Sequence, residues 1–250
     1  MPNVDLILLV IIYLLTSAVG VVTGSNSLIA VPVMFQFGVP ARIAVATNMF
    51  ALVFMSVGGT IPFLRNRTID VRRISPLLLI TLASSALGAI LVGYITDQGL
   101  KLIVSVAMIA VSIFILVKRD SGVDPQSSVT GKSLAVTFVL TFILGVYGGL
   151  FSGGYVTMLT AVLVAFFGMT FSQSIAATKL INVVSSTIAT AVFMWQGLVD
   201  YKLGLILGVT MFVGAYVGAY YTTKMSDVWL KRIFLFTVLL LAIKILYDYF

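Results

Sequence analysis

Two glycine-rich interruptions carry the polar side chains that could do chemistry in an otherwise apolar chain. The first interruption holds Ser25, Asn26 and Ser27, and the second holds Ser152, Gly153 and Gly154 directly before Tyr155. In each case the polar residues precede a helical run, so hydroxyl, amide and free backbone N–H groups gather at a helix N-terminus. Two helix N-termini that face each other favour an anion, by dipole and by hydrogen bonding. The alternative is that the glycines only permit close helix packing and the hydroxyls bond their own backbone.

The helices that follow the interruptions add three more polar side chains. Asn48 lies in the motif ATN, and Lys179 and Asn182 lie in ATKLIN, three residues apart on one helix face. An ammonium group there could neutralise a bound anion, because ionisable residues inside a membrane span are functional candidates. The alternative for Lys179 is that its side chain extends to the cytoplasmic headgroups. Arg42 opens its helix at the outer face and is interpreted as an interface anchor.

The composition indicates that the helices that position these residues lie in a lipid bilayer. The 250-residue chain is 60% hydrophobic and 9% charged, which a water-facing surface cannot accommodate. A helix that crosses the ~30 Å hydrocarbon core needs about 20 residues. Single crossings are predicted over residues 41–64, 72–96, 99–118, 170–195, 201–222 and 228–248. Two stretches, Asp5 to Gly38 and Ser133 to Gly168, are instead predicted to form a helix, an unwound turn and a short returning helix.

The chain is predicted to consist of two repeats of one membrane-spanning unit. A shift of 130 residues superimposes Asp70 on Asp200 and Gly88 on Gly218, and a shift of 131 places Ala46-Thr47 on Ala177-Thr178. Matches that recur in order over most of two halves indicate an internal repeat. The glycines at 88 and 218, each followed by Ala, are interpreted as helix packing contacts.

The basic residues predict how the two repeats are inserted. With ten helical elements, eleven of the fifteen Lys and Arg residues fall on one side, which is therefore cytoplasmic. Five elements per half is an odd number, so the repeats insert with opposite topology and both termini lie outside. The predicted fold is an all-α polytopic membrane protein with two inverted-topology repeats, each of about five helical elements. The domains are residues 1–118 and 133–250, joined by a cytoplasmic linker at 119–132.

The residue inventory excludes several function classes. The basic loops set orientation and do not indicate a nucleic-acid partner. The absence of His and Cys argues against a zinc site, and no other cofactor is expected. A membrane hydrolase is disfavoured because Ser152 has no His partner and all eight acidic residues are Asp near loops or segment ends. Matched broken segments instead predict a secondary transporter, with an anion channel or a non-transporting scaffold as alternatives.

The same motifs resemble the TauE/SafE sulfite exporter family. The features that carry the resemblance are the glycine-broken first segment ending at Val31-Pro32, the ATN and ATKLIN motifs, and GLVD at 197–200. The resemblance implies a multi-pass carrier in the prokaryotic cell membrane for small sulfur-containing anions such as sulfite, sulfonates or organosulfur acids, mostly in the export direction. The family often has a denser glycine cluster at the first break, where this chain has Ser25-Asn26-Ser27.

Overall fold

The described residues of the computed structural model are all-α. They are residues 3–24, 26–104, 106, 129–226, 228–230, 232–233 and 236. The helices that lie wholly within this part of the chain are α1 (Asn3–Thr23), α2 (Asn26–Gln36), α3 (Ala41–Arg65), α4 (Val71–Val92), α5 (Gly131–Leu150), α6 (Tyr155–Phe167), α7 (Phe171–Trp195) and α8 (Tyr201–Thr222). Most of the crossings predicted at 99–118 and 228–248, and most of the predicted linker, lie outside the described residues.

Six of these helices are long and apolar enough to cross a membrane, namely α1, α3, α4, α5, α7 and α8. The other two, α2 and α6, have only 11 and 13 residues. At 1.5 Å per residue they extend about 17–20 Å, which is too short for the hydrocarbon core. Each predicted broken stretch is therefore one long helix followed by one short helix, and the protein is a multi-pass membrane protein.

Glycines with a positive φ end α1 and start α6. Gly24 has φ +69°, and Gly154, the residue that caps α6, has φ +77°. This left-handed conformation interrupts the helical hydrogen bonding and is readily adopted only by residues without a Cβ atom. The two interruptions thus arise directly from the glycine-rich sequence.

The helices pair in the same way in both halves. In the first half α1 packs on α2 and α2 on α3, while in the second half α5 packs on α6 and α6 on α7. Between the halves, the contact of α1 with α8 has its counterpart in α5 with α4, and that of α3 with α8 in α7 with α4. Asp70 and Asp200, matched by the repeat, both cap the helix that follows them. The opposite insertion of the two halves stays a prediction.

Small residues bring the two halves close together. A Cβ atom on Gly88 would collide with the Val146 carbonyl, and one on Gly218 would collide with the Ala18 carbonyl. Both glycines therefore act as packing contacts. The helices α3 and α7 are the most deeply buried of the spans. They carry Asn48, Lys179 and Asn182, so these side chains lie inside the bundle.

Candidate functional site

The two interruptions contact each other at the centre of the site. The hydroxyl of Ser27, in the first turn of α2, hydrogen-bonds the hydroxyl of Ser152 over 2.7 Å. The Thr157 hydroxyl in α6 donates to the Thr23 carbonyl at the end of α1. Gly24 lies so near Val156 that an added Cβ atom would be 2.7 Å from the Val156 Cβ. Ser27 and Ser152, which were predicted as site residues in separate halves of the chain, are thus neighbours in the structure.

A chain of buried hydrogen bonds extends this contact into α3 and α1. Asn48 donates from Nδ2 to Ser27 Oγ at 2.9 Å. The Tyr13 hydroxyl lies 3.1 Å from Asn48 Oδ1 and 3.0 Å from Met34 Sδ. We call Tyr13, Asn48, Ser27 and Ser152 the relay chain. Tyr13 was not predicted as a site residue, although Leu9, Tyr13, Ser17 and Gly20 have the spacing of one helix face and are buried or at the break.

Lys179 is buried inside the bundle and does not extend to the headgroups. Its side chain is only 3% exposed, and its ammonium donates to the Gly20 carbonyl at 3.1 Å. That carbonyl lies in the last turn of α1, where helix carbonyls carry partial negative charge. Within the described part of the chain, the salt bridge found is between Arg42 and Asp97, and no carboxylate pairs with Lys179. A buried ammonium compensated by a carbonyl alone is well suited to an anionic ligand.

Asn26 lies beside Gly20, close to the position where Lys179 makes its contact. A Cβ atom on Gly20 would be 3.3 Å from the Asn26 Cβ. Asn26 is 3% exposed, and both polar atoms of its side chain are without a partner in the structure. Buried amides are rarely left in this state unless a ligand or water completes their hydrogen bonding. The first residue of α2 therefore offers unused hydrogen-bonding groups near the residue whose carbonyl accepts from Lys179.

One turn further along α7, Asn182 provides a second incomplete amide. Its Nδ2 donates to Ser56 Oγ in α3 at 2.6 Å, while its Oδ1 is buried without a partner. Lys179 and Asn182 therefore both face the first half, as their spacing of three residues predicts. Ser56 was missed by sequence reasoning because serines are frequent in this chain and no motif distinguishes it.

The remaining predicted residues have different surroundings. The Gly153 carbonyl accepts the hydroxyl of Tyr147, and Gly154 supplies the left-handed turn before α6. Tyr155 packs its ring on Gly148, and its hydroxyl lies beside Thr81 and Ser185, so it faces α4, α5 and α7. Ser25 lies outside the described residues.

The side chains of this arrangement are suited to binding a ligand. The partner of the Ser152 hydroxyl is Ser27, and the sequence has no His that could act as a base. In the ranges that the structure describes, no three residues among Asp, Glu, His and Cys are grouped as metal ligands would be. What the site does offer is an ammonium, two amides and several hydroxyls, which together can hold an oxyanion.

Comparisons with known proteins agree with a transport role. The family model described as sulfite exporter TauE/SafE matches residues 9–245. A protein named probable membrane transporter protein ORF9, from Sinorhizobium sp, is 29% identical over 91% of this chain and 87% of its own length. The probable membrane transporter protein of Haemophilus influenzae is 23% identical over 93% and 91%, and YdhB of Bacillus subtilis, also named a probable membrane transporter protein, is 24% identical over 97% and 100%. No solved structure matches.

Proposed function

Since the chain belongs to the sulfite exporter TauE/SafE family of membrane transporters, we propose that it is a secondary carrier that exports small sulfur-containing anions. The substrate class comprises sulfite, sulfonates and organosulfur acids, and transport proceeds by alternating access at a site between the two breaks. The protein acts in the prokaryotic cell membrane with both termini outside. Broken helices that meet inside a bundle are the usual location of substrate sites in secondary transporters.

The observation that carries this proposal is that the buried ammonium of Lys179 and the unpartnered side chain of Asn26 both lie against Gly20. Asn26 begins α2, where the helix dipole and backbone N–H groups add further attraction for an anion. One ammonium balances one negative charge, so a monovalent anion is the best match. A sulfonate fits this description, because its three oxygens share one charge and accept hydrogen bonds from several directions.

The contribution of Lys179 can be bounded by simple electrostatics. Two unit charges about 4 Å apart interact with about 4 kcal/mol at an effective dielectric constant of about 20. Desolvation of the anion offsets part of this, and hydrogen bonds to charged groups contribute a net of about 1.5–3 kcal/mol. Removing the ammonium should therefore weaken anion binding about 10- to 100-fold.

The test is the affinity of purified Lys179→Ala for methanesulfonate and sulfite, measured by calorimetry and by ligand-induced thermal stabilisation. Arg42→Ala is the matched control, since it removes a cation that pairs with Asp97 at the protein surface. Without ligand, Lys179→Ala leaves no unpaired carbonyl at Gly20, because that carbonyl still accepts the Gly24 N–H at 2.9 Å. Equal affinities of Lys179→Ala and wild type would remove Lys179 from the site.

An anion channel is the alternative transport mode. Loading vesicles with unlabelled sulfonate should accelerate the entry of labelled sulfonate if one site is exposed to each side in turn. Flux that does not saturate and shows no such counterflow would favour the channel.

A further inference from the structure

The relay chain joins both halves of the molecule through buried hydrogen bonds. Its three links are 3.1 Å from Tyr13 to Asn48, 2.9 Å from Asn48 to Ser27 and 2.7 Å from Ser27 to Ser152. The second and third distances are within the normal hydrogen-bond range, and the first is slightly longer than the usual upper value of about 3.0 Å for an O–H···O bond. Tyr13 is completely buried, and Ser152, the most accessible of the four residues, is only 6% exposed. Water therefore has little access to these groups, and the direction of each hydrogen bond is determined by the side chains themselves.

The direction can be followed from Tyr13. Its single hydroxyl hydrogen has two acceptors in reach, the Asn48 amide oxygen and the Met34 thioether. An amide oxygen is a much stronger acceptor than a thioether sulfur. The hydroxyl therefore donates to Asn48 Oδ1, which orients the amide so that Nδ2 faces Ser27.

The remaining hydrogens have two arrangements, because either hydroxyl can donate in the contact between Ser27 and Ser152. Ser27 accepts a hydrogen from Asn48, and it donates its own to Ser152 in the arrangement that leaves the Ser152 hydrogen for a ligand. Ser152 accepts this hydrogen and keeps its own. In the part of the chain that the structure describes, no second acceptor for the Ser152 hydroxyl is found, while its carbonyl accepts the N–H of Tyr155 at the start of α6.

We propose that Tyr13 is a positioning residue that makes Ser152 a hydrogen-bond donor to the transported anion. The proposal rests on the anion-carrier function proposed above and assigns the relay chain two separate tasks. Ser152 touches the substrate, while Tyr13, Asn48 and Ser27 fix the orientation of its hydroxyl. Without the Tyr13 hydroxyl, the Asn48 amide loses the donor that holds its oxygen in place. The amide can then turn its oxygen to Ser27, Ser27 donates to Asn48, and the hydrogen of Ser152 is drawn back to Ser27.

This orientation has a consequence for specificity. A sulfonate has only acceptor oxygens, so a fixed Ser152 donor suits it. A phosphonate monoanion has a similar shape and the same charge, but one of its oxygens carries a hydrogen. A reversed relay turns the Ser152 hydrogen toward Ser27 and leaves both lone pairs of the Ser152 oxygen free, so this oxygen meets the ligand only as an acceptor and can accept that hydrogen. The orientation set by Tyr13 should therefore favour sulfonates over phosphonate monoanions.

The experiment measures the affinities of the purified full-length protein for methanesulfonate and for methylphosphonate, at a pH where the phosphonate is a monoanion. We expect Ser152→Ala to bind methanesulfonate about 10- to 100-fold more weakly, because a hydrogen bond to a charged group is lost. Tyr13→Phe, which keeps the ring, should lose about three- to tenfold, since Ser152 then donates to the ligand only part of the time. Its preference for methanesulfonate over methylphosphonate should fall by a similar factor. The control Tyr216→Phe removes a hydroxyl that accepts from Arg65 at the protein surface and should change neither value.

A double-mutant cycle separates positioning from simple stabilisation of the fold. If Tyr13 acts through Ser152, Tyr13→Phe should have no further effect on affinity in the Ser152→Ala background. Ser27→Ala interrupts the same relay by removing a different hydroxyl, so it serves if Tyr13→Phe does not fold. The relay proposal would be overturned if the two substitutions lowered the affinity additively, or if the anion preference were unchanged in both relay variants. In either case, sulfonate binding by the wild type would still support the carrier function. If the wild type binds neither anion, the carrier function itself fails.

Discussion

Gly24→Ala should destabilise the protein through the contact between the two breaks. The new Cβ atom would lie 2.7 Å from the Val156 Cβ and 2.8 Å from the Thr157 backbone nitrogen. A backbone atom cannot move aside as a flexible side chain can, so α1 and α6 must separate. The substitution also places a non-glycine residue at φ +69°.

The two costs can be estimated separately. A left-handed backbone conformation costs an L-residue roughly 1–2 kcal/mol. Overpacking of a close contact typically costs about 1–3 kcal/mol. Gly24→Ala should therefore lower the free energy of unfolding by about 2–5 kcal/mol.

Gly38→Ala is the matched control. Gly38 has φ +79°, similar to Gly24, but no heavy atom lies within 4 Å of its added Cβ. It should show only the backbone cost. Since about 1 kcal/mol changes the Tm by about 2–4 °C in a chain of this size, the Tm of Gly24→Ala in detergent should lie about 2–12 °C below that of Gly38→Ala. Equal Tm values for the two variants would refute the close contact between the breaks.

Two further predictions concern topology and energetics. Ser226→Cys, an exposed position in a chain that has no native Cys, should not be labelled by an impermeant thiol reagent from outside intact cells; labelling there would contradict the inverted-repeat topology. Transport of a permanently charged sulfonate should respond to membrane potential, and in vesicles clamped at zero potential a pH gradient alone should not concentrate it. Uphill accumulation under that clamp would indicate proton coupling.

The helical architecture and the approximate location of the breaks could be predicted from the sequence because their causes are local. The breaks were predicted to begin at Gly20 and at Gly145, whereas α1 continues to Thr23 and α5 to Leu150. Apolar length determines which segments can span a bilayer. Glycines at 24 and 154 provide the conformations that end one helix and start the next. The spacing of Lys179 and Asn182 likewise indicates a shared face, and both side chains contact the first half.

The partners of these residues could not be predicted because they depend on tertiary packing. Lys179 donates to the carbonyl of Gly20, and a backbone carbonyl has no signature in the sequence. Tyr13 resembles the other aromatic residues of an apolar helix until Asn48 is placed opposite it. Tyr155 follows its break as predicted, but its hydroxyl faces Thr81 and Ser185. The direction in which the first side chains of a helix point after a glycine break is not determined by the local sequence.

The two residues that follow the matched Ala-Thr pairs have different roles in the site. Asn48 and Lys179 occupy equivalent positions in the repeats, and both contact the first broken segment. Only one of them can carry a charge. In the proposed carrier the empty site with a protonated Lys179 is positive, and the site loaded with a monovalent anion is neutral. The loaded site therefore changes its exposure with little electrical work, whereas the return of the empty site moves positive charge inward. A potential of about 100 mV, negative inside, favours that return by about 2.3 kcal/mol per charge, so in the proposed exporter the membrane potential would act on the step in which no substrate is bound.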